Sequence, residues 1–288
     1  MDNALPSWLK QRLPSPTGVA RMNDLLEGLR LNTVCQSASC PNLGECFSEH
    51  TATFMILGNV CTRHCRFCAV GKGKGAEIDP GEPQRISEAV KRLGLEYVVI
   101  TSVTRDDLPD GGARQFADTI QAIRASQPGT GVEVLVPDFN RSGLEIVVEA
   151  APAVLGHNME TIPALYRAVR PEADYRWSLQ VLRNVKQMQP DMLTKSGMML
   201  GLGEAPEQVV DVMNDLIEAG CDILTLGQYL SPSAKHVPVA RYIPPEEFEE
   251  YGRIAERLGF KAAVCGPWVR SSHHAARTYR ELTSLMRG

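Results

Sequence analysis

The sequence predicts an α/β fold, an open or partial (β/α)6 barrel with N- and C-terminal extensions. Three observations carry this reading. Six short β-rich runs alternate with amphipathic helical segments between residues 53 and 226, and such alternation builds parallel strands joined by right-handed crossovers. Six units fall short of the eight that close a full barrel. A cysteine-rich loop directly follows the first run, and in barrels of this kind the chemistry gathers at the C-terminal ends of the strands.

In chain order, residues 1–50 show weak periodicity broken by Pro6, Pro14, Pro16 and Pro41, and read as an extension carrying part of the cysteine cluster. The expected strands are 53–57, 97–103, 132–136, 154–157, 196–202 and 223–226. Between them, Ile86, Ala89, Val90 and Leu93 repeat at helical spacing. So do Phe116, Thr119, Ile120 and Ile123; Leu144, Val147, Val148 and Ala151; and Val209, Val212, Met213 and Leu216. Asp211, Asn214, Asp215 and Glu218 fill the polar face of the last of these. A loop (231–245), a helix (246–258), a short apolar run (262–265) and a charged C-terminal helix follow. The expected organisation is therefore an N-terminal extension over 1–50, a barrel over 51–245 and a C-terminal extension over 246–288.

Composition narrows the class. With 288 residues, 43% hydrophobic and 22% charged, the chain can bury a sizeable core. A formal net charge of -4 argues against a nucleic-acid binder. No apolar run reaches membrane-spanning length, and residues 1–21 lack the apolar core of a secretory signal. The expectation is a cytoplasmic chain with neither nucleic acid nor membrane as partner.

Six of the eight cysteines lie between residues 35 and 68. Dense thiols in a large chain without a secretory signal point to a metal or cluster rather than to disulfides. Cys61-Thr-Arg-His-Cys65-Arg-Phe-Cys68 is a C-x3-C-x2-C loop. Three soft thiolates on one tight loop can hold three irons of a cubane and leave the fourth open, as an open position does at a catalytic zinc. Cys35, Cys40 and Cys46 form a second triplet, C-x4-C-x5-C. The bland alternatives are zinc sites, the first completed by His64 and the second by His50 or a thiol of the other triplet. Two incomplete triplets together favour two clusters. Cys221 and Cys265 read as core residues.

The C-x3-C-x2-C loop resembles that of the radical S-adenosylmethionine family. The second triplet narrows the resemblance to the lipoyl synthase family, and other segments extend it over nearly the whole chain. These are Phe54-Met-Ile-Leu-Gly58, Thr101-Ser-Val-Thr-Arg-Asp-Asp-Leu-Pro-Asp-Gly-Gly112, His157-Asn-Met-Glu-Thr161, Lys195-Ser-Gly-Met-Met-Leu-Gly-Leu-Gly-Glu204, Leu226-Gly-Gln-Tyr-Leu230 and Arg270-Ser-Ser-His-His-Ala275. Arg176 and His273 depart from the family's usual Lys and Tyr.

The resemblance implies a partial TIM-like barrel of the radical SAM type. It implies a [4Fe-4S] cluster on Cys61, Cys65 and Cys68 that binds S-adenosylmethionine and cleaves it to an adenosyl radical. That radical takes hydrogen from C6 and then C8 of an octanoyl chain on a protein lysine. It also implies an auxiliary [4Fe-4S] cluster on Cys35, Cys40 and Cys46 that gives up both sulfurs. The auxiliary cluster's fourth ligand is a serine, placed on Ser272 with Ser271 as the alternative. The chain would then be a sulfurtransferase that builds the lipoyl group, with Cys61, Cys65, Cys68 and Ser272 carrying the chemistry. Phe67 resembles the aromatic that packs on adenine, and Asn158, Glu160 and Arg170 are candidates to hold the methionine or ribose part. The implied partners are octanoylated lipoyl carriers, either the glycine-cleavage H protein or lipoyl domains of 2-oxoacid dehydrogenases. An electron donor such as ferredoxin or flavodoxin is implied as well.

Residue chemistry agrees with this. An unactivated methylene offers no acid, leaving group or polar handle, so a cofactor must carry the hard step. Serine oxygen is a harder and poorer ligand for iron than thiolate, and could leave as sulfur departs. The plain alternative for Ser271 and Ser272 is an N-cap of the last helix. Gly201-Leu-Gly203 lacks the third glycine of a dinucleotide fingerprint and is expected to let the backbone approach the cofactor. A biotin-synthase-like substrate and a zinc-stapled binding module are the rival readings. Metal analysis decides between clusters and zinc: anaerobically prepared protein is expected to hold about eight irons per chain, and zinc without labile sulfide contradicts the reading.

Overall fold

Parallel strands buried on both faces need long apolar runs, and the six β-rich runs supply them. The computed structural model describes residues 5–10, 16–49 and 51–285. Its main sheet holds eight strands in chain order: β1 (Asn32–Thr33), β2 (Thr53–Ile56), β3 (Tyr97–Ser102), β4 (Gly131–Leu135), β5 (Val154–Gly156), β6 (Leu193–Leu200), β7 (Ile223–Gln228) and β8 (Ala262–Gly266). β1 pairs antiparallel with β2, and every later neighbour is parallel. The two edge strands do not pair with each other, so the sheet is an open barrel.

All six expected strands are present. The run at 262–265 is a further parallel strand, β8, in register with β7 from Ala262↔Ile223 to Gly266↔Gly227. Its small residues, Ala-Ala-Val-Cys-Gly, give little β signal on their own; pairing with β7 decides its conformation. β6 begins earlier than expected, at Leu193, and ends before Gly201. The expectation that Gly201 admits a cofactor is corrected. Gly201 has φ +97, and a Cβ there would lie 2.3 Å from both Arg241 O and Gln228 Nε2. The glycine makes room for the chain's own 228–241 loop.

The helices pack outside the strands. α1 (Glu82–Leu93), α2 (Ala113–Ser126) and α3 (Arg141–Glu149) bury Ile86, Phe116, Ile120, Ile123, Leu144 and Val147 against Phe54, Ile56, Ile100 and Val134. In the second half, α4 (Pro206–Glu218) and α5 (Pro245–Leu258) bury Val209, Val212, Met213, Leu216 and Phe248 against Met198, Leu200, Leu224 and Leu226. Starts are set locally: Asn140 accepts from Gly143 N at 2.9 Å, and Asp174 from Trp177 N at 2.8 Å. Cys221 is buried with its thiol on Ile223 O, and Cys265 packs against the second core, as expected of core cysteines. Among the described residues, no helix is long and apolar enough to cross a membrane.

Near the N-terminal ends of the strands sits a buried polar cluster. Lys195 Nζ meets Glu133 Oε1 at 2.8 Å, and Tyr97 OH donates to Glu133 Oε2 at 2.7 Å. The Tyr97 ring packs 5.0 Å from that of Tyr279 on the last helix, Ala275–Leu285. This contact anchors the C-terminal arm to the sheet.

The turn that leaves β2 is held from behind. Leu57 has φ +67, and its N–H donates to buried Glu82 Oε2 at 2.9 Å, which also accepts from Gln115 Nε2 at 2.9 Å. Glu82→Ala strips the buried Leu57 N–H of its partner, at a cost of about 1–3 kcal/mol, and leaves Gln115 Nε2 with Asp79 O alone. Chemical denaturation of the variant should show a lower midpoint; an unchanged midpoint would mean that the turn holds itself.

Candidate active site

The cysteine loop after β2 is pinned at both ends. Val60–Cys61 pairs in parallel with Gly71–Lys72, and Gly73 N donates to Cys61 O at 2.9 Å. Within the loop, Lys72 Nζ donates to Cys65 O at 3.0 Å, and Arg66 N to Val169 O at 2.8 Å. Cys61, Cys65 and Cys68 face a cavity of about 240 Å³ that is also lined by Phe67, Asn158, Glu160 and Arg170. Every residue expected at the first site is thus brought to one cavity. His64, expected as a ligand in the zinc alternative, points outward and meets Glu172 Oε1 at 3.0 Å. His50, the other such histidine, lies outside the described residues. Among the described residues, no three His, Cys, Asp or Glu side chains gather as ligands of one metal ion. Donors to a cubane bind separate irons, so a triplet suits a cluster without that convergence.

Burial pushes the Cys65 thiol up to about 11, against the opposing charge of Arg170 and with help from Cys68, Glu160 and Cys61. Burial also raises Cys68. Deprotonating such thiols needs a compensating cation, which iron provides as protons leave. Arg170 is buried behind them. Its Nη1 donates to Asn158 O at 3.1 Å and to Tyr166 OH at 3.2 Å, while its buried Nε has no protein partner. Glu160 holds a left-handed backbone, φ +65, of the kind found where strain serves a site. Its N–H donates to Gly197 O at 3.0 Å, its carbonyl accepts from Met199 N at 2.9 Å, and burial raises its carboxyl pKa. A soft donor triplet, an orphaned guanidinium N–H and a buried carboxyl around one cavity fit a cluster with a polar, zwitterionic ligand.

The second triplet follows β1, with Cys35 on one short helix (Val34–Ser37), Cys46 on another (Leu43–Ser48) and Cys40 between them. Cys40 N donates to Cys35 O at 2.9 Å, and Cys46 N to Asn42 O at 3.0 Å. Buried Asn42 ties this segment to the C-terminal arm through Trp268 O at 2.7 Å. Cys35 and Cys40 face a cavity of about 410 Å³ that also meets Arg270, Ser271 and Ser272. Cys46 opens on an adjoining cavity of about 220 Å³ shared with Thr53 and Ser272. Ser272 borders both spaces and Ser271 only the larger. Burial pushes the thiols of Cys35 and Cys46 up to about 11 and about 12, and the charge of Cys40 adds to both. Arg270 is buried with Cys40 as the charge set against it, and burial lowers its pKa. Three thiols, a hydroxyl and a buried cation fit an anionic cluster here also.

The plain alternative, that the two serines cap the last helix, is not met: that helix begins at Ala275 and both hydroxyls are engaged elsewhere. Thr53 Oγ1 donates to Ser272 Oγ at 2.7 Å, and Asn158 Nδ2 to Ser271 Oγ at 2.6 Å. Thr53 also meets the Cys35 thiol. The two larger cavities share a wall that includes Phe67, Cys68, Asn158 and Glu160.

Sequence reasoning missed Thr53 and Asp138. Asp138 is buried with Oδ1 3.1 Å from His157 Nε2 and Oδ2 3.6 Å from Arg170 Nη2, and it pairs with Arg63 of the cysteine loop. Its position just past β4, at the C-terminal end of a barrel strand, was the available signal. Thr53 left none, because its partner is 219 residues away.

Comparison with known proteins gives a consistent result. Residues 55–216 match the Radical SAM superfamily. The chain is 57% identical over 272 residues to a lipoyl synthase of Caldanaerobacter subterraneus subsp. tengcongensis, covering 94% of this chain and 95% of that one. It is 54% identical to a lipoyl synthase of Rubrobacter xylanophilus, covering 94% and 85%. In fold it is similar to methylornithine synthase, with TM-score 0.58, 16% identity and coverage of 88% of this chain and 72% of that chain. It is similar also to the FeFe-hydrogenase maturase of Carboxydothermus hydrogenoformans, with TM-score 0.60, 16% identity and coverage of 79% and 56%.

Asp138→Ala would take from buried Arg170 and His157 the carboxylate between them and leave Arg63 with Asp106 alone. Breaking a buried pair from one side typically costs about 3–5 kcal/mol, which chemical denaturation of the cluster-free chain should detect. The Asp138 carboxyl is held well below its ordinary range: burial pushes it up, but His157, Arg170 and Arg63 outweigh that. A depressed carboxyl stabilises the fold above its unfolded pKa of about 3.9 and loses that contribution as the pH falls through the folded value. Denaturation midpoints of native and variant chains should therefore converge only in strong acid.

Proposed function

The chain belongs to the Radical SAM superfamily and, within it, to the lipoyl synthase family, and on that premise we propose the reaction its two cavities serve. The reaction is insertion of two sulfur atoms, at C6 and C8, into a protein-bound octanoyl-lysine, which makes the chain a lipoyl-forming sulfurtransferase. One observation carries the reading: Cys61, Cys65 and Cys68 border one cavity, Cys35 and Cys40 border a second that shares a wall with it, and Cys46 opens on a third that meets Ser272 as the second does.

Cys61, Cys65 and Cys68 would hold a [4Fe-4S] cluster with S-adenosylmethionine, and Cys35, Cys40, Cys46 and Ser272 a second [4Fe-4S] cluster. When bound, the first supplies hydrogen-atom abstraction from an unactivated methylene and the second supplies sulfur. Around them the chain's own residues bind and orient. Phe67 offers an aromatic face to the first cavity. Arg170, with its free Nε, can take a carboxylate, and Asn158 and Glu160 can take hydroxyl or ammonium groups. The larger cavity receives the alkyl chain among Val34, Pro41, Leu135, Met198 and Met199. Each methylene buried there contributes about 0.8 kcal/mol and keeps water from the reacting carbons. Ser272 supports the reading over Ser271 because it reaches both the Cys35 and the Cys46 side.

The same reading divides the chain into a cysteine-bearing extension (1–50), a radical SAM barrel (51–245) and a C-terminal part with the serine motif (246–288). It gives the chain a cytoplasmic setting. Its partners are octanoylated carriers, namely the glycine-cleavage H protein or 2-oxoacid dehydrogenase lipoyl domains, and its reductant is a ferredoxin or flavodoxin.

Anaerobic incubation with an octanoyl-lysyl peptide, S-adenosylmethionine and a reductant is expected to give, by mass spectrometry, a product with two added sulfurs. Cys65→Ala should abolish S-adenosylmethionine cleavage, whereas Cys40→Ala should still cleave it and add no sulfur. Sulfur insertion by the Cys40 variant would place the donor elsewhere.

A further inference from the structure

We propose that Asn158 is a positioning residue that couples the two cavities, so that filling the first with S-adenosylmethionine changes how Ser272 is held in the second. This rests on the reading of Cys35, Cys40, Cys46 and Ser272 as ligands of a second cluster.

An asparagine amide has two N–H donors, and Asn158 directs Nδ2 to both sides of the shared wall. It donates to Glu160 Oε1 at 3.1 Å and to Ser271 Oγ at 2.6 Å. Its main-chain carbonyl is held by Arg170 Nη1 at 3.1 Å. Asn158 and Glu160 border both cavities, whereas Ser271 borders only the larger. The amide oxygen lies against Gly197, where a Cβ would stand 3.3 Å from Asn158 Oδ1. The Glu160 backbone is fixed by its two main-chain hydrogen bonds, so a ligand in the first cavity acts on its carboxylate and on the Asn158 amide.

A ligand that takes either group must rearrange the fork. The change passes to Ser271, and through one peptide unit to Ser272, whose hydroxyl rests on Thr53. Linkage then requires reciprocity: the state of the second site must alter the affinity of the first by the same factor.

The test is a cycle of four proteins: the native chain, Ser271→Ala, Cys40→Ala and the double variant. Anaerobic equilibrium dialysis measures S-adenosylmethionine affinity, and metal analysis counts iron in each. Ser271→Ala cuts the link without altering a residue of the first cavity. Native protein with about eight irons and Cys40→Ala with about four should differ in affinity by about fivefold or more, and the Ser271→Ala background should bring that ratio to within about twofold of one. In parallel, S-adenosylmethionine should change the rate at which a chelator strips iron from the second cluster of native protein. It should not do so in Ser271→Ala, and Ser271→Thr, which keeps the hydroxyl, should restore the effect. Eight irons with a ratio of one in native protein, or a ratio retained in Ser271→Ala, overturns the coupling alone. About four irons in native protein overturns the second-cluster reading and the coupling with it.

Discussion

The hydrogen bond from Thr53 to Ser272, 2.7 Å long, joins the start of β2 to the C-terminal arm, and the second site rests on it. The cysteines of that site lie before β2 and the serines after β8. Nothing local brings them together. The bond from Asn42 to Trp268 and the stacking of Tyr97 on Tyr279 close the same seam at two further points. Each is modest, since a net hydrogen bond contributes about 0.5–1.5 kcal/mol. Their effect lies in geometry: three ties along one edge leave the arm a single seating, and that seating puts a hydroxyl beside two thiols.

This explains what the sequence could and could not reveal. The six barrel strands were legible because parallel strands are apolar throughout and the helices between them keep a 3.6-residue period. The two triplets were legible because donors within a few residues on one loop must be close in space. The resemblance placed Ser272, and no local pattern would have done so. Thr53 reads as an ordinary strand residue, since its role depends on a partner 219 positions on. Asp138 carries no spacing signature, because its partners Arg63, His157 and Arg170 come from three other segments. The Gly201 reading failed for a related reason: a glycine announces a close approach but does not say to what, and here it is Arg241 and Gln228.

The two sites solve the burial of charge differently. Beside the first triplet, Arg63 and Arg170 share a buried carboxylate, Asp138, which draws on His157 as well. A buried cation without a partner is costly, so Asp138 lets these arginines sit near the thiols whether or not the thiols are ionised. The first cavity is thereby built before any ligand arrives, and Arg170 keeps a free Nε with which to receive one.

Arg270, beside the second triplet, has no such arrangement. Its charge is set against the Cys40 thiol, and burial lowers its pKa. On the proposed reading, a cluster held by thiolates would bring negative charge to it, a counter-charge that Arg170 at the first site already has in Asp138. If that cluster gives up its sulfur as proposed, the site would be emptied and refilled in each cycle. An arginine that gained its counter-charge on refilling would then favour the loaded state, while a weak oxygen ligand at Ser272 would ease the opening of that same state. Those opposed preferences, set by one cation and one hydroxyl two residues apart on the same arm, are what a sacrificial cluster would require of the protein around it.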